Sequence, residues 1–577
     1  MKYEVPVPNA EWIFHSGTVF DGRRLVPGAS AVAVSGGMVT AVGTDQELRA
    51  WSGPSTQTVD LAGRLVSPGF TDAHVHAAYA GVERLGCDLA ELSGVQACLD
   101  RIREHAALPP EPGNDAGWIT GGGWYKGDFP GGYPGADLLD AVVPDRPVYL
   151  INRDHHSAWV NSRALELAGI TASTPDPADG RIERHADGTP AGTLHEGAME
   201  LLARVLPAVT DAQLEAGILH AQDHLFSVGV TGWQEAILGH YGGYPDASAA
   251  YRSLAAAGKL TARATGALWV PRSTTLETVP ALVESFVERR ELNDAAGFST
   301  RSAKIMVDGV PENCTAAMLE DYLRPCACAG PEPSGERGLL YLSPEVLHAV
   351  SAALDAAGFD LHMHVIGDRA VRTGLDAVAA ARSANPGSAG RHHMAHLQII
   401  HPDDVARFAA LDVTVNAQAL WACNDDQMTE LTVPLLGAQR AAWQYPFAGL
   451  AAADARLAMG SDWPVSSPDP WQAIHVAVNR AHPDYPDAPA LLPDQAISLQ
   501  AALAAYTSGS AWLNRSPGGV LAPGAPADLA VHSANPFDLP GQALSSLQVD
   551  LAMVAGSPVF DRAVTASASP LQRIPSA

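Results

Sequence analysis

Eight short apolar stretches, most of them separated by alanine-rich segments of helical length, constrain this chain more than any other feature. They are LVSPGFTDAHVH (65–76), SVGVTGWQEA (227–236), ARATGALWV (262–270), SAKIMVDG (302–309), FDLHMHVIG (359–367), RHHMAHLQII (391–400), DVTVNAQAL (412–420) and RLAMGSDWPV (456–465). Parallel strands need a long crossover, and a helix is the segment that satisfies its own backbone over that length. Strands alternating with helices therefore predict a parallel sheet covered by helices. Eight such units predict an α/β fold closed as a TIM (β/α)8 barrel. The gap between the first and second candidates far exceeds one unit. Residues from about 80 to 215 are therefore expected to form an insertion over the face where barrel enzymes carry their active sites.

The two ends read differently. Residues 11–67 hold WIFHSGTVFDG, SAVAVSGGMVTAVG and TVDLAGRLVSPG, and the same pattern returns in GGVLAPGAPADLAVHSA and VDLAMVAGSPVFDR. Period-two apolar runs broken by Gly and Asp read as antiparallel strands. A small β-sandwich assembled from residues 1–67 and 518–577 is expected, with the barrel spanning 68–517.

Composition narrows the function classes. Lys+Arg 36 against Asp+Glu 63 gives a formal charge of −27 over 577 residues, which repels phosphate backbones and anionic membrane surfaces. Neither nucleic acid nor a membrane is an expected partner. The first residues lack a basic head followed by an unbroken apolar run, and no stretch of about 18 apolar residues occurs, so a cytoplasmic protein is expected. The six cysteines are too sparse for a disulfide framework, and Cys326 and Cys328, a lone C-x-C, read as incidental loop residues.

Polar residues gather where the strand candidates end. The first ends in His74-Val75-His76, whose imidazoles project from one side of an extended chain and can share a metal. Lys304 lies on the fourth, His362 and His364 on the fifth, His396 on the sixth and Asp462 on the eighth. Neutral imidazoles and carboxylates bind Zn²⁺, whereas an ammonium repels it. Only four of the 36 basic residues are lysine, so a lysine inside an apolar strand calls for a chemical explanation. It is a core residue, a substrate-binding cation, or a lysine carboxylated by CO2 whose two anionic oxygens bridge metals about 3.5–4 Å apart. The third reading fits the surrounding donors best.

The stretches PGFTDAHVH, GWITGGGWY, HSAWVNSRALELAGI, KIMVDGVPENCTAAML, HVIGDRAV, AHLQ, GSDWPV and APADLAV together resemble the amidohydrolase superfamily, in its family 3 or YtcJ-like branch. Within that branch KIMVDGVPENCTAAMLEDY most resembles the N-substituted formamide deformylases. The resemblance implies two zinc ions, one held by His74, His76 and Asp462 and the other by His364 and His396, with carboxylated Lys304 between them. His362, two residues before His364, remains an alternative ligand. The implied reaction is hydrolysis of a small linear amide, an N-substituted formamide or N-acyl amine, with Asp462 taking the water proton and passing it to the leaving nitrogen.

His156, Trp124, Tyr125, Glu312 and Asn313 are candidate substrate contacts. His392 and His393 are expected in the core or behind the ligands, with His392 sharing the face of His396 by period two. Deamination of a cyclic amidine-like substrate is the alternative chemistry. Related deaminases place glutamate three residues after the fifth-strand histidine, where this chain has Gly367. A barrel that has lost catalysis and only binds is the alternative of another class. The resemblance is also compatible with a homodimer.

Overall fold

The computed structural model describes residues 9–567 apart from 111–113, 115, 178, 242–243, 325–331 and 486–487. The C-x-C of Cys326 and Cys328 lies outside the described residues. An eight-stranded parallel sheet follows chain order: β1 (Phe70–Val75), β2 (Val230–Leu238), β3 (Arg263–Trp269), β4 (Ser299–Met306), β5 (Asp360–Val365), β6 (His393–His396), β7 (Thr414–Ala417) and β8 (Leu457–Met459). Each of the eight stretches identified in the sequence contributes one of these strands.

The ring closes without a strand pairing between β8 and β1. Instead, the Asp462 N–H donates to His74 O at 2.7 Å and the His76 N–H to Trp463 O at 2.8 Å. The hydrogen bonds that complete the barrel thus run between residues of the candidate site. Every residue of β1, β2 and β5 is buried, as expected for strands with side chains on one face and helices on the other. The helices begin where the sequence supplies caps. Thr210 and Gln213 form a capping box before Asp211–Ser227, and Ser343 accepts from the Val346 N–H ahead of Pro344–Ala356.

The first predicted strand is two strands. Leu65–Pro68 pairs with the C-terminal Leu529–His532, and β1 starts after Gly69. Pro68 has no N–H to continue a ladder, and a Cβ on Gly69 would lie 2.3 Å from the Thr231 hydroxyl oxygen. The chain therefore changes sheets at this dipeptide.

The terminal segments form a four-stranded sheet (Met38–Gly43, Ala31–Ser35, Trp12–His15, Gln57–Asp60) and a five-stranded sheet (Thr18–Val19, Leu65–Pro68, Leu529–His532, Val549–Val554, Ser557–Asp561). Phe14, Val32, Val34, Val66, Leu529 and Met553 belong to one buried cluster that draws on both sheets.

Between β1 and β2 the chain builds a further six-stranded sheet with Cys87–Asp88 at one edge and Gly180–Arg184 at the other, Pro190–Glu196 lying just inside the latter. Its packing corrects one expectation. Trp124 is fully buried against Phe129 and Trp159, with ring centroids 5.6 and 6.4 Å away, and its Nε1–H donates to Leu150 O at 2.9 Å. It supports the insertion and does not wall a substrate cavity. Among the described residues no helix is long and apolar enough to cross a membrane.

Candidate metal centre

His74 at the end of β1 and His76 just past it face the barrel axis, and the helix Ala77–Leu85 begins at once behind them. Glu235 of β2 fixes this junction by accepting from the Ala78 N–H at 3.0 Å and the Tyr251 hydroxyl at 2.6 Å. Asp72 joins β1 to the segment after β8, since its Oδ1 accepts from the N–H groups of His74 (3.0 Å) and Ser461 (3.1 Å). Asp462 follows in the left-handed backbone region, with φ 58°. That conformation is costly for a residue with a Cβ, and such positions cluster at functional sites.

His74, His76 and Asp462 each offer one ligand atom within 4.8 Å of the others. Both imidazole Nε2 atoms lie 3.1 Å from Asp462 Oδ1. That buried oxygen nevertheless has no hydrogen bond of acceptable geometry. The Lys304 Nζ, at the end of β4, sits 3.2 Å from His74 Nε2. On the far side, the rings of His364 and His396 pack with centroids 4.3 Å apart, and His396 Nδ1 lies 3.8 Å from Asp462 Oδ2.

The electrostatics suit a cation. Burial, reinforced by Lys304, pushes the His74 imidazole down to about 3. Burial likewise holds His76, His364 and His396 below the ordinary imidazole range, so all four are neutral. For Asp462, burial opposes ionisation, but His74, His76 and His396 keep the carboxyl well below its usual range. Burial brings the Lys304 amine down to about 7. Neutral imidazoles around an ionised carboxylate, with an orphaned buried oxygen between two ring nitrogens, form a donor set that fits a divalent metal.

The structure separates the remaining histidines. The His362 ring meets His74 Nδ1 with its Nε2 at 2.8 Å, which orients the ligand candidate from below, while His364 lines the cavity. The period-two expectation for β6 is corrected. The His393 ring packs on His362 inside the barrel at 4.3 Å, whereas His392 Nε2 meets Asp355 at 3.2 Å among the outer helices. His396 regains the interior because its φ of 76° breaks the alternation.

A cavity of about 810 Å³ opens over these groups. His156, Tyr125 and Glu312 line it, together with Tyr241, Trp421 and Trp463. The Tyr125 hydroxyl donates to Asp425 at 3.2 Å, and Glu312 accepts from the Thr432 hydroxyl. Asn313 is not brought to the cavity. It accepts from the buried Lys126 ammonium at 3.1 Å, and Lys126 also pairs with Asp154 at 2.8 Å, tying the insertion to the loop after β4.

Two further carboxylates went unnoticed in the sequence. Asp308, just past β4, accepts from the N–H groups of Ala317, Ile366 and Gly367 at 2.8–3.0 Å, and burial pushes it up to about 7. Its place two residues beyond β4 was the available signal. Glu196 bonds His156 Nδ1 at 2.7 Å, and nothing local in GTLHEGAME marks it. Burial disfavours charge on both partners, yet their pairing raises the His156 pKa above the ordinary imidazole value and holds Glu196 down to about 2.

Comparison with known proteins identifies the family. The model of the amidohydrolase family matches residues 57–560. The putative amidohydrolase YtcJ of Bacillus subtilis is 27% identical over 95% of this chain and 99% of its own. N-substituted formamide deformylase of Arthrobacter pascens is 27% identical over 92% of this chain and 95% of its own. The solved structure of an uncharacterized metal-dependent hydrolase from Pyrococcus horikoshii superposes with a TM-score of 0.68 over 92% of this chain and 99% of that one, at 23% identity. The match over nearly the whole chain, on a barrel whose strand ends converge as described, places this protein in the amidohydrolase family of metal-dependent hydrolases acting on carbon–nitrogen bonds.

Proposed function

We propose that this hydrolase cleaves the C–N bond of a linear amide, an N-substituted formamide or a related N-acyl amine, using two zinc ions bridged by carboxylated Lys304. The observation that carries the reading is the convergence of His74, His76 and Asp462 with Lys304, His364 and His396 at the mouth of one barrel. His74, His76 and Asp462 would hold one ion, His364 and His396 the other. Lys304 at about 7 has its free amine accessible near neutral pH, the form that adds to CO2 with loss of a proton. The similarity to the Arthrobacter deformylase supports a formyl or short acyl group.

When bound, the metals supply an acidified water and a Lewis acid for the carbonyl oxygen. The residues of the chain do the rest. Asp462, ionised and buried, accepts the proton of the attacking water and delivers it to the amide nitrogen, which must be protonated to leave. The products are one carboxylic acid and one amine, and water balances the reaction. The walls of Tyr241, Trp421 and Trp463 hold the apolar part of the amine and limit bulk water. Gly367 stands where a deaminase would carry a proton-shuttling glutamate, which favours amide hydrolysis over ring deamination.

The test is release of formate or amine from a panel of N-substituted formamides and N-acyl amines by the zinc-loaded enzyme. Turnover of a formamide supports the reading. Metal-loaded protein that turns over none of the panel removes this substrate class.

A further inference from the structure

A second constellation faces the reacting groups from the insertion. His156 and Glu196 are paired twice, once through backbone, with the Glu196 N–H donating to His156 O at 3.1 Å, and once through side chains at 2.7 Å. Glu196 is buried, its side chain 2% exposed, and its backbone sits at φ 50°. His155, next to His156, has φ 62°. Left-handed residues with side chains on both segments of the pair mark backbone held in place by its surroundings.

Glu196 is gripped from the barrel side as well. The Arg272 guanidinium, past the end of β3, lies 3.6 Å from Glu196 Oε2 and stacks on the Tyr341 ring at 3.8 Å. The Thr315 hydroxyl reaches Glu196 Oε1 at 3.4 Å. Arg272, Thr315 and His156, from three separate parts of the chain, thus converge on one carboxylate.

We propose that His156 is a catalytic residue that donates a hydrogen bond from Nε2 to the scissile carbonyl oxygen, with Glu196 and Arg272 as its positioning residues. An ionised carboxylate only accepts, so Glu196 takes the Nδ1–H and turns Nε2 toward the cavity. The His156 ring stands 6.1 Å from that of His364, and both line the cavity. Asp462 serves the water and the leaving nitrogen, so the carbonyl oxygen points away from it, toward His364 and His156. A donor fixed before substrate arrives stabilises the negative charge developing on that oxygen. The assignment rests on the amide hydrolysis proposed above.

Two measurements on zinc-loaded Glu196→Gln, His156→Ala and the double variant test it, with metal content and thermal midpoint confirming that each is folded. With a turned-over formamide, each single variant is expected to lose about 100-fold in kcat with little change in KM, and the double variant to lose no more than the worse single. Multiplying losses, or an unchanged kcat, overturn the pairing. Calorimetric titration with acetate, whose oxygen occupies the carbonyl position, needs no turnover. Its affinity is expected to fall about tenfold in both single variants, one lost hydrogen bond. Equal affinity in all forms, or no binding to the wild type, overturns the placement of His156. Failure of the whole amide panel with the acetate pattern intact removes the substrate class and leaves His156 in place.

Discussion

Lys304 is the residue on which the site turns. Its position in an apolar strand of a lysine-poor chain was legible in the sequence, and the structure places its amine 3.2 Å from His74. If it bridges two metals, Lys304→Ala will lose metal and activity together, and short carboxylic acids will restore part of both. Elemental analysis with and without acetate checks this, and full metal occupancy with unchanged turnover in the variant contradicts it. His396 carries a narrower claim. His396→Ala is expected to retain one metal per chain and lose the other, because His364 alone leaves the second ion underligated. The histidines, the lysine and Asp462 were readable because metal chemistry restricts residue type. Glu196 and Asp308 were not, because their roles depend on partners that only folding brings near: Glu196 is 40 residues from His156, and Asp308 is 58 residues from the Ile366 N–H it accepts.

At the scale of elements, the alternation of apolar strands and alanine-rich helices carried the barrel, and its failures are local. Pro68-Gly69 splits one predicted strand between two sheets, a change that hydrophobicity does not register. Gly69→Ala is expected to destabilise the protein by about 1–3 kcal/mol in denaturant unfolding, since the new methyl meets the buried, branched Thr231. An unchanged midpoint would remove this close approach from the reasons for the glycine. In β6 the period-two count placed His392 inside because it could not anticipate the positive φ at His396.

His532, on a strand inside the five-stranded terminal sheet, makes a different prediction. It accepts from Trp471 Nε1–H at Nδ1 (3.2 Å) and contacts Ser67 Oγ through Nε2 (2.8 Å), and burial pushes it down to about 3. The unfolded chain binds this proton near the ordinary value of about 6.5 while the folded protein refuses it until about 3. Its contribution is therefore complete above pH 6.5 and is lost progressively as pH falls toward 3, a span on the order of 4–5 kcal/mol. Unfolding curves from pH 7 to 4 should show a shallower loss in His532→Gln than in the wild type, and parallel curves would contradict the assignment.

Across the whole molecule, the barrel fixes the strand ends, and the insertion contributes His156 and Tyr125 to the cavity above them. The proposed ligands come from β1, β4, β5, β6 and the segments just after β1 and β8, positions that the spacing of βα units makes visible in the sequence. The substrate-facing wall draws on loops and on the insertion, where spacing carries no register, and there the expectations for Trp124 and Asn313 failed. The central claim, a binuclear hydrolytic centre, is tested most directly by metal equivalents per chain, measured by elemental analysis on protein purified without chelator. About two zinc per chain is the predicted result. Near-zero metal that added zinc does not restore would contradict it.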